Sequence, residues 1–199
     1  NFKMNIGESV ALLAPSGSGK STLLQIAATL DQPSSGNVII DNKIVNDLLD
    51  GEKSQLRSKY LGFIYQFHNL LPDFTAIENV MIPLLIGGIK YSEAQIQANN
   101  ILKQVKLEHR LYHLPKQLSG GEQQRVAIAR AIVTTPQVIF ADEPTGNLDP
   151  ETSERVFDLF LNLVNSLNIS LVVATHNFEL ANKLQKKMTI INSTLQECI

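Results

Sequence analysis

A glycine-rich segment, residues 14–22, lies between an apolar run at residues 9–13 and an amphipathic stretch that starts at Lys20. The apolar run predicts a buried strand, and the amphipathic stretch predicts a helix that ends near residue 30. Consecutive backbone N–H groups in such a strand-to-helix turn can converge on phosphate oxygens, and the helix N-terminus adds positive potential. The segment therefore predicts a phosphate-binding turn in an α/β fold.

The side chains of this turn also fit a phosphate site. Gly17 and Gly19 permit backbone angles that other residues disfavour, while Lys20 is spaced to reach the β- and γ-phosphates of a nucleotide and Ser21 to bind Mg²⁺. Ala14 stands where this pattern normally has a glycine. A tight turn that binds nothing is the alternative, which the placement of the lysine and serine disfavours. The residues predicted to bind the nucleotide are Ala14, Pro15, Ser16, Gly17, Ser18, Gly19, Lys20, Ser21 and Thr22.

Short apolar strands alternate with amphipathic stretches along the rest of the chain. β-branched and aromatic residues predict further strands at residues 38–40, 61–65, 138–141 and 171–174. Uniformly apolar strands separated by helices predict an α/β fold whose mostly parallel core sheet is covered on both faces. The stretch at residues 67–118 is helical in character, and we expect it to form a lobe inserted into the sheet domain.

Capping patterns predict where several helices begin. Thr75 and Glu78 have the spacing of a capping box, and Pro83 is expected to kink or end the helix that they open. Ser92 is expected to cap the next helix. Asp149 is expected to cap a later one, with the proline that follows it at the first helical position.

Two adjacent carboxylates follow the strand predicted at residues 138–141. A buried strand that ends in Asp142 and Glu143 is well placed for a metal ion and an attacking water. Asp142 would hold Mg²⁺, directly or through water, and Glu143 would orient or deprotonate the water. Many strands end in an acidic turn, so the acidic pair alone is weak evidence for a site. Together with the phosphate turn earlier in the chain, it indicates a metal and water site.

A third pattern, Leu-Ser-Gly-Gly-Glu-Gln-Gln-Arg at residues 118–125, combines glycines with the capping-box spacing of Ser119 and Glu122. It predicts a capped helix start, which is also an outward-facing anion site. With the phosphate turn before it and the acidic pair after it, this octet resembles the signature of ABC-type ATPases. The resemblance covers the whole chain.

The resemblance implies one P-loop NTPase domain of the ABC type, with a RecA-like core at residues 1–66 and 119–199 and a helical subdomain at residues 67–118. It also implies ATP as ligand, Mg²⁺ as cofactor and a homodimer whose two cassettes face head to tail. ATP bound by the Lys20 turn of one chain would be completed by the Ser119 turn of the other. We therefore expect that a lone monomer binds ATP but hydrolyses it poorly.

Further site residues follow from the resemblance alone. Gln66 corresponds to the Q-loop glutamine, residues 146–149 to the D-loop and His176 to the switch histidine. Without the resemblance, each would be explained more simply, as a glutamine at a strand end, as a helix cap and as a core histidine. The expected catalytic residues are Lys20, Gln66, Glu143 and His176; the expected Mg²⁺ ligands are Ser21, Gln66 and Asp142; and the expected ATP-binding residues of the signature are Ser119, Gly120, Gly121 and Glu122.

Residues 143–149 resemble the group that contains lipoprotein-releasing, macrolide-export and FtsE-type ATPases, and residues 63–75 are most similar to the ATPase of lipoprotein-releasing systems. This similarity implies a peripheral subunit on the cytoplasmic face of the inner membrane, paired with LolC- and LolE-like permease subunits, that drives lipoproteins toward the outer membrane. The apolar residues 80–89 would help to receive a coupling segment of the permease, or they would be core of the helical lobe.

Other members of the family remain as alternatives. FtsE-type ATPases share the Leu-Leu-Pro stretch at residues 70–72, and macrolide exporters share the motif at residues 143–149. A soluble ABC ATPase of DNA repair or translation fits less well, because the former carry long coiled coils before the signature and the latter usually fuse two cassettes.

Composition excludes several other classes of protein. Lys and Arg number 17 against 19 Asp and Glu, so there is no basic excess to suggest nucleic acid. Cys198 is the single cysteine, which excludes an internal disulfide. No apolar stretch approaches the roughly 20 residues that cross a bilayer. The chain begins at Asn1, and we expect that a preceding segment, which in the family holds the adenine-stacking aromatic residue, is missing.

Overall fold

A six-stranded sheet forms the centre of the computed structural model, which describes residues 1–15 and 17–198. Its strands are β1 (Ser9–Leu13), β4 (Leu61–Ile64), β5 (Val138–Asp142), β6 (Ser170–Thr175), β7 (Lys186–Ile191) and β8 (Thr194–Glu197), and two further strands, β2 (Ile39–Ile40) and β3 (Lys43–Ile44), pair only with each other. The sheet order is β4-β5-β6-β1-β7-β8, in which every pairing is parallel except that of β7 with β8. This confirms the predicted α/β fold with a mostly parallel sheet.

Helices cover both faces of this sheet. They are α1 (Lys20–Ala27), α2 (Asp50–Tyr60), α3 (Ala76–Ile86), α4 (Tyr91–Gln104), α5 (Gly120–Ile132), α6 (Pro150–Ser166) and α7 (Phe178–Asn182), with a short 3₁₀ turn at Pro115–Gln117. Alternate residues of β1 point to opposite faces: Leu13 packs in the core shared with α3 to α6, and Leu12 packs with Leu24 of α1. Strands β1 and β6 are buried along their whole length, as expected for strands covered on both faces.

Three of the predicted helix starts are confirmed and one is wrong. Thr75 and Asp149 accept hydrogen bonds from backbone N–H groups of the first turns of α3 and α6, and Ser119 does the same for α5. Helix α4 begins at Tyr91, so Ser92 lies inside it rather than at its cap. Pro83 does not end α3, which continues to Ile86.

Some elements differ from the sequence prediction or were missed. The strand predicted at residues 38–40 is a two-residue strand of a separate β2–β3 hairpin, and the first helix ends at Ala27 rather than near residue 30. Helix α2 is too polar to show a clear apolar face, and β7 and β8 are half-exposed strands at the sheet edge without a continuous apolar run.

Helices α3 and α4 pack against each other and against α5, and their apolar side chains join the core that α6 and the sheet share. The division of the chain into a RecA-like core and a helical subdomain at 67–118 stays a prediction. In the described part of the chain, no helix combines the length and the apolarity that a bilayer crossing needs.

Candidate nucleotide-binding and hydrolysis site

Four neighbouring parallel strands, β4, β5, β6 and β1, end at the same edge of the sheet. Gln66 follows β4, Asp142 is the last residue of β5, Glu143 comes next, and His176 follows β6. The phosphate turn follows β1. Residues that lie far apart in the sequence thus meet at the carboxyl edge, which is where ligands bind in open α/β sheets.

The phosphate turn needs glycine for its backbone conformation. Gly17 and Gly19 have φ of 79° and 95°, in the left-handed region that other residues rarely adopt. Among the described residues, no heavy atom outside their chain neighbours lies within 4 Å of an added Cβ at either position, so crowding by them is not the reason. Gly19 caps α1 without a side-chain hydrogen bond, which leaves the N–H groups of the first turn for a ligand. Ser16 lies outside the described residues.

Lys20 folds back over the turn that precedes it. Its ammonium donates hydrogen bonds to the carbonyl oxygens of Ala14 and Pro15, at 2.6 and 3.0 Å, and the residue is only 8% exposed. Two carbonyl dipoles orient the cation but bring no countercharge, so an anion such as a phosphate is its natural partner. Ser21 and Thr22 are exposed on the first turn of α1.

Glu143 is held at the end of the neighbouring strand β6. Its backbone has φ of 45°, unusual for a residue with a side chain. The carboxylate accepts hydrogen bonds from Thr175 Oγ1 at 3.1 Å and from the His176 backbone N–H at 3.0 Å, and its Oε1 lies 2.7 Å from His176 Nδ1. The structure thus brings two of the predicted catalytic residues into direct contact.

Gln66 makes its contacts with the predicted D-loop. Its Nε2 donates to Asn147 Oδ1 at 3.3 Å, and Asn147 Nδ2 donates to the Gln66 backbone oxygen at 2.9 Å. Gly146 lies beside this pair, since a Cβ there would stand 3.3 Å from Gln66 Nε2. The loops after β4 and β5 are therefore tied together by two hydrogen bonds.

The signature residues form a different kind of structure, a tightly capped helix start. Ser119 Oγ accepts from the Glu122 backbone N–H at 3.3 Å, and Glu122 Oε2 accepts from the Ser119 N–H at 2.8 Å. Arg110 Nε donates to Glu122 Oε1 at 3.1 Å. Burial acts to raise the pKa of the Glu122 carboxyl, but the hydrogen bonds from Ser119 and the Arg110 guanidinium outweigh it and hold that pKa below its usual value.

The two glycines of the signature lie against the start of α6. An added Cβ at Gly121 would stand 2.7 Å from Thr152 Cγ2, and one at Gly120 would stand 3.3 Å from Leu148 Cδ2. Close packing therefore requires a small residue at position 121. Among the hydrogen bonds of the described residues, none joins the Ser119 turn to the phosphate turn or to Glu143. The structure assembles the other predicted site residues at the sheet edge and leaves the signature apart from them.

The residues expected to hold Mg²⁺ have the right chemistry. Ser21, Asp142 and the side-chain oxygen of Gln66 are oxygen donors, which Mg²⁺ prefers. Within the residues that the structure describes, no group of three or more His, Cys, Asp or Glu forms a complete metal cage. A few oxygen donors that share the ion with substrate phosphates match the way in which Mg²⁺ is usually bound.

Three contacts near the site were not predicted from the sequence. Thr175 holds Glu143, Asn147 holds Gln66, and Arg130 of α5 donates to the backbone oxygens of His68 and Asn69 at 2.9 and 2.7 Å. No spacing rule reveals them, because each acts across elements that are distant in sequence. For Thr175, its place just before the switch histidine was the one available signal.

A family model described as ABC transporter matches residues 1–146, and the chain belongs to this family. It is an ABC-type ATPase with the P-loop NTPase fold, as the sequence predicted. Among curated proteins, it is 51% identical over 191 residues to the lipoprotein-releasing system ATP-binding protein LolD of Nitrobacter winogradskyi, covering 96% of this chain and 82% of that protein. It is 50% identical over 196 residues to LolD of Coxiella burnetii, covering 98% and 84%.

Solved structures support the same class. The dimeric structure of MJ0796, a bacterial ABC transporter cassette, matches with a TM-score of 0.88 and 40% identity, over 99% of this chain and 88% of that one. A dimeric post-hydrolysis state of the same cassette, bound to ADP and Pi, matches with a TM-score of 0.86 over 98% of this chain and 88% of that one. The predicted fold class is therefore confirmed.

Proposed function

We propose that this chain is the ATP-hydrolysing subunit of an inner-membrane complex that releases lipoproteins toward the outer membrane. The observation that carries the proposal is the assembly of the Lys20 turn, Gln66, the acidic pair and His176 at one edge of the sheet. Relatives at 51% and 50% identity that are named lipoprotein-releasing ATP-binding proteins support the transport task.

The proposed reaction is attack of water on the γ-phosphate of ATP. Lys20 and the N–H groups of its turn stabilise the phosphate charge. Glu143 orients or deprotonates the water, and His176, in contact with Glu143, stabilises the γ-phosphate region. Because positioning and electrostatics dominate phosphoryl transfer, loss of any of these groups should reduce the rate by orders of magnitude.

Ser21, Asp142 and Gln66 would hold Mg²⁺ together with the phosphates. When bound, the ion neutralises charge on the β- and γ-phosphates. The role of these side chains is to offer oxygen atoms in the right directions. For Gln66 this means that its amide must present Oε1 rather than Nε2 toward the ion.

We further propose that the working unit is a homodimer of head-to-tail chains. The signature of one chain is a capped helix start whose N–H groups can bind an anion. Within the described part of the chain, its hydrogen bonds join it to α5, to Arg110 and to the preceding turn. A second chain would bring that turn to the ATP held by Lys20. The 40% identical cassette is dimeric, which supports this assembly.

The permease is proposed to dock beside the Q-loop, at the cytoplasmic face of the inner membrane. Phe67 is 71% exposed, and Leu71 and Phe74 are also exposed. These apolar side chains follow Gln66 directly, so a partner bound there would act on a residue of the site. The expectation for residues 80–89 holds for one end of the stretch only. Val80 and Met81 are buried core, because α3 turns that face toward α4 and α5, whereas Leu85 and Ile86 are exposed and available to a partner.

The proposal is tested in membranes that contain the complex with its permease subunits and a bound lipoprotein. ATP should cause release of the lipoprotein to a soluble acceptor, and Glu143→Gln in this chain should abolish release while the complex stays assembled. Isolation of the complex should yield integral subunits of the LolC and LolE kind. Release that continues with the Glu143→Gln chain, or a complex without such subunits, would contradict the proposal.

A further inference from the structure

Asn147 lies between the acidic pair and α6 and has no role in the chemistry described so far. Its side chain is exposed in the chain alone, yet both polar atoms of its amide are engaged with Gln66, from the loop after the adjacent strand. Because both polar groups of this exposed amide bond to Gln66, the positions of the Asn147 side chain and of Gln66 depend on each other.

The directions of these hydrogen bonds follow from the chemistry of the groups. A backbone carbonyl only accepts, so the group of Asn147 that faces the Gln66 backbone oxygen, at 2.9 Å, must be its NH₂. The other amide atom of Asn147 is then its oxygen, which also only accepts. The atom of Gln66 that lies 3.3 Å from it must therefore be the side-chain NH₂.

Among the described residues, this order leaves one atom of the Gln66 amide without a hydrogen-bond partner, namely Oε1. A free glutamine side chain can rotate its amide by half a turn and present either group to a ligand. Contact with Asn147 removes that freedom and directs the acceptor oxygen away from the D-loop. An oxygen donor is what Mg²⁺ requires, and a misdirected NH₂ would repel the ion.

Gly146 provides an independent sign that this contact is close. Its φ is not in the left-handed region, yet an added Cβ would stand 3.3 Å from Gln66 Nε2 and 3.4 Å from Glu143 Cβ. A side chain at this position would push the Gln66 amide away from Asn147. The small residue is therefore explained by the approach of the Q-loop rather than by backbone conformation.

We propose that Asn147 is a positioning residue that fixes the amide orientation of Gln66 so that its oxygen is presented to the nucleotide-bound Mg²⁺. The inference rests on the metal role of Gln66 in the proposed function. It assigns Asn147 no contact with ATP or the ion. Outer residues that orient metal ligands typically affect metal affinity by about 10- to 100-fold.

The test measures binding rather than turnover. The full chain carrying Glu143→Gln is incubated with labelled ATP at increasing Mg²⁺ concentrations, and the nucleotide retained after gel filtration is counted. Asn147→Ala in this background should raise the Mg²⁺ concentration for half-maximal retention about 10-fold. At saturating Mg²⁺ its retention should equal that of the reference, because only the affinity for the ion is weakened. Asn99→Ala, an exposed asparagine on α4, is the matched control and should change neither quantity.

A double-mutant cycle separates this role from others. Gln66→Ala should raise the half-maximal concentration by itself, and Asn147→Ala added to it should have no further effect, because its partner is gone. Additive shifts, or a loss of retention by Asn147→Ala that persists at saturating Mg²⁺, would overturn the role of Asn147 alone. An unchanged Mg²⁺ dependence in Gln66→Ala would instead overturn the metal role of Gln66 and the inference with it.

Discussion

The phosphate turn with its neighbouring strand ends and the signature turn at Ser119 differ in how their polar groups are satisfied. At the strand ends, Lys20 donates to two backbone carbonyl oxygens and the carboxylate of Glu143 contacts His176, so the side chains suited to ATP are bonded to the backbone or to each other. At the signature, Ser119 and Glu122 close a capping box that is local to one helix. The contacts of Glu143 in the first region depend on the order of the strands in the sheet, whereas the capping box of the second depends on residues three positions apart.

This difference bears on the proposal that one chain alone is not a complete catalyst. The strand-end region has the cation, the acidic pair and the histidine, but no hydrogen bond within the described residues links it to the signature. The signature helix is fixed against the start of α6 by the packing of Gly121 on Thr152. Because both regions are anchored separately, a second chain is the simplest way to bring a signature to the phosphate turn.

The largest effect is expected at the strand ends, from Glu143→Gln. The amide keeps the size of the side chain but cannot take a proton from water, so ATP turnover should fall by about a thousandfold or more while ATP binding is retained. Steady-state hydrolysis and equilibrium binding of labelled ATP check the two parts. Glu197→Gln, the same change on exposed β8, serves as the control. Near-normal hydrolysis by the Glu143→Gln chain would show that Glu143 is not the catalytic base.

A smaller effect is expected where the signature meets α6. Gly121→Ala places a methyl group 2.7 Å from Thr152 Cγ2, so the two helices must separate, and the free energy of unfolding should fall by about 1–3 kcal/mol. Urea denaturation followed by circular dichroism measures it. Thr152→Ser removes the opposing methyl group and should restore much of the loss in the double variant. If the serine gives no rescue, the contact with Thr152 does not explain the glycine.

The helix cap at Thr75 should show a smaller effect, outside both regions. Thr75→Ala removes the acceptor for the Glu78 N–H and a donor to the Glu78 carboxylate, and should cost about 1 kcal/mol of stability. Thermal unfolding at neutral pH checks this value. Thr75→Ser keeps the hydroxyl and should be as stable as the original chain. If Thr75→Ser loses as much stability as Thr75→Ala, the packing of the threonine methyl group, and not the hydrogen bonds, explains the effect.

The same cap predicts a weak dependence of stability on pH. Hydrogen bonds from the Thr75 hydroxyl, and then from its backbone N–H, lower the pKa of Glu78 below its ordinary value of 4.5. A carboxyl whose pKa is lower in the folded state stabilises the fold above pH 4.5, and this contribution is lost as the pH falls below that value. The free energy of unfolding, measured from pH 7 to pH 3, should therefore depend less on pH in the Glu78→Gln chain than in the original chain. An identical pH profile for both chains would contradict the role of this carboxylate.

Local patterns in the sequence predicted the local structures well. The phosphate turn, the Ser119 and Thr75 caps and the buried strands depend on neighbouring residues, and their chemistry is visible in a short window. Contacts between loops are not visible in this way. Asn147 reaches Gln66 and Thr175 reaches Glu143 only because the sheet order places their strands side by side.

Some misses have an equally physical origin. Helix α2 carries few apolar residues, so its helical period was hidden, and Pro83 lies in α3 although proline usually ends a helix. At Pro83, contacts with the rest of the fold outweigh the local preference.

The need for two chains is tested most directly by dilution of the isolated subunit. ATP hydrolysis per chain is measured at saturating ATP and Mg²⁺ while the protein concentration is lowered over several orders of magnitude. If each site needs the signature turn of a second chain, the activity per chain should fall toward zero as dimers dissociate, although ATP still binds. Activity per chain that stays constant at concentrations where light scattering shows only monomers would contradict the account.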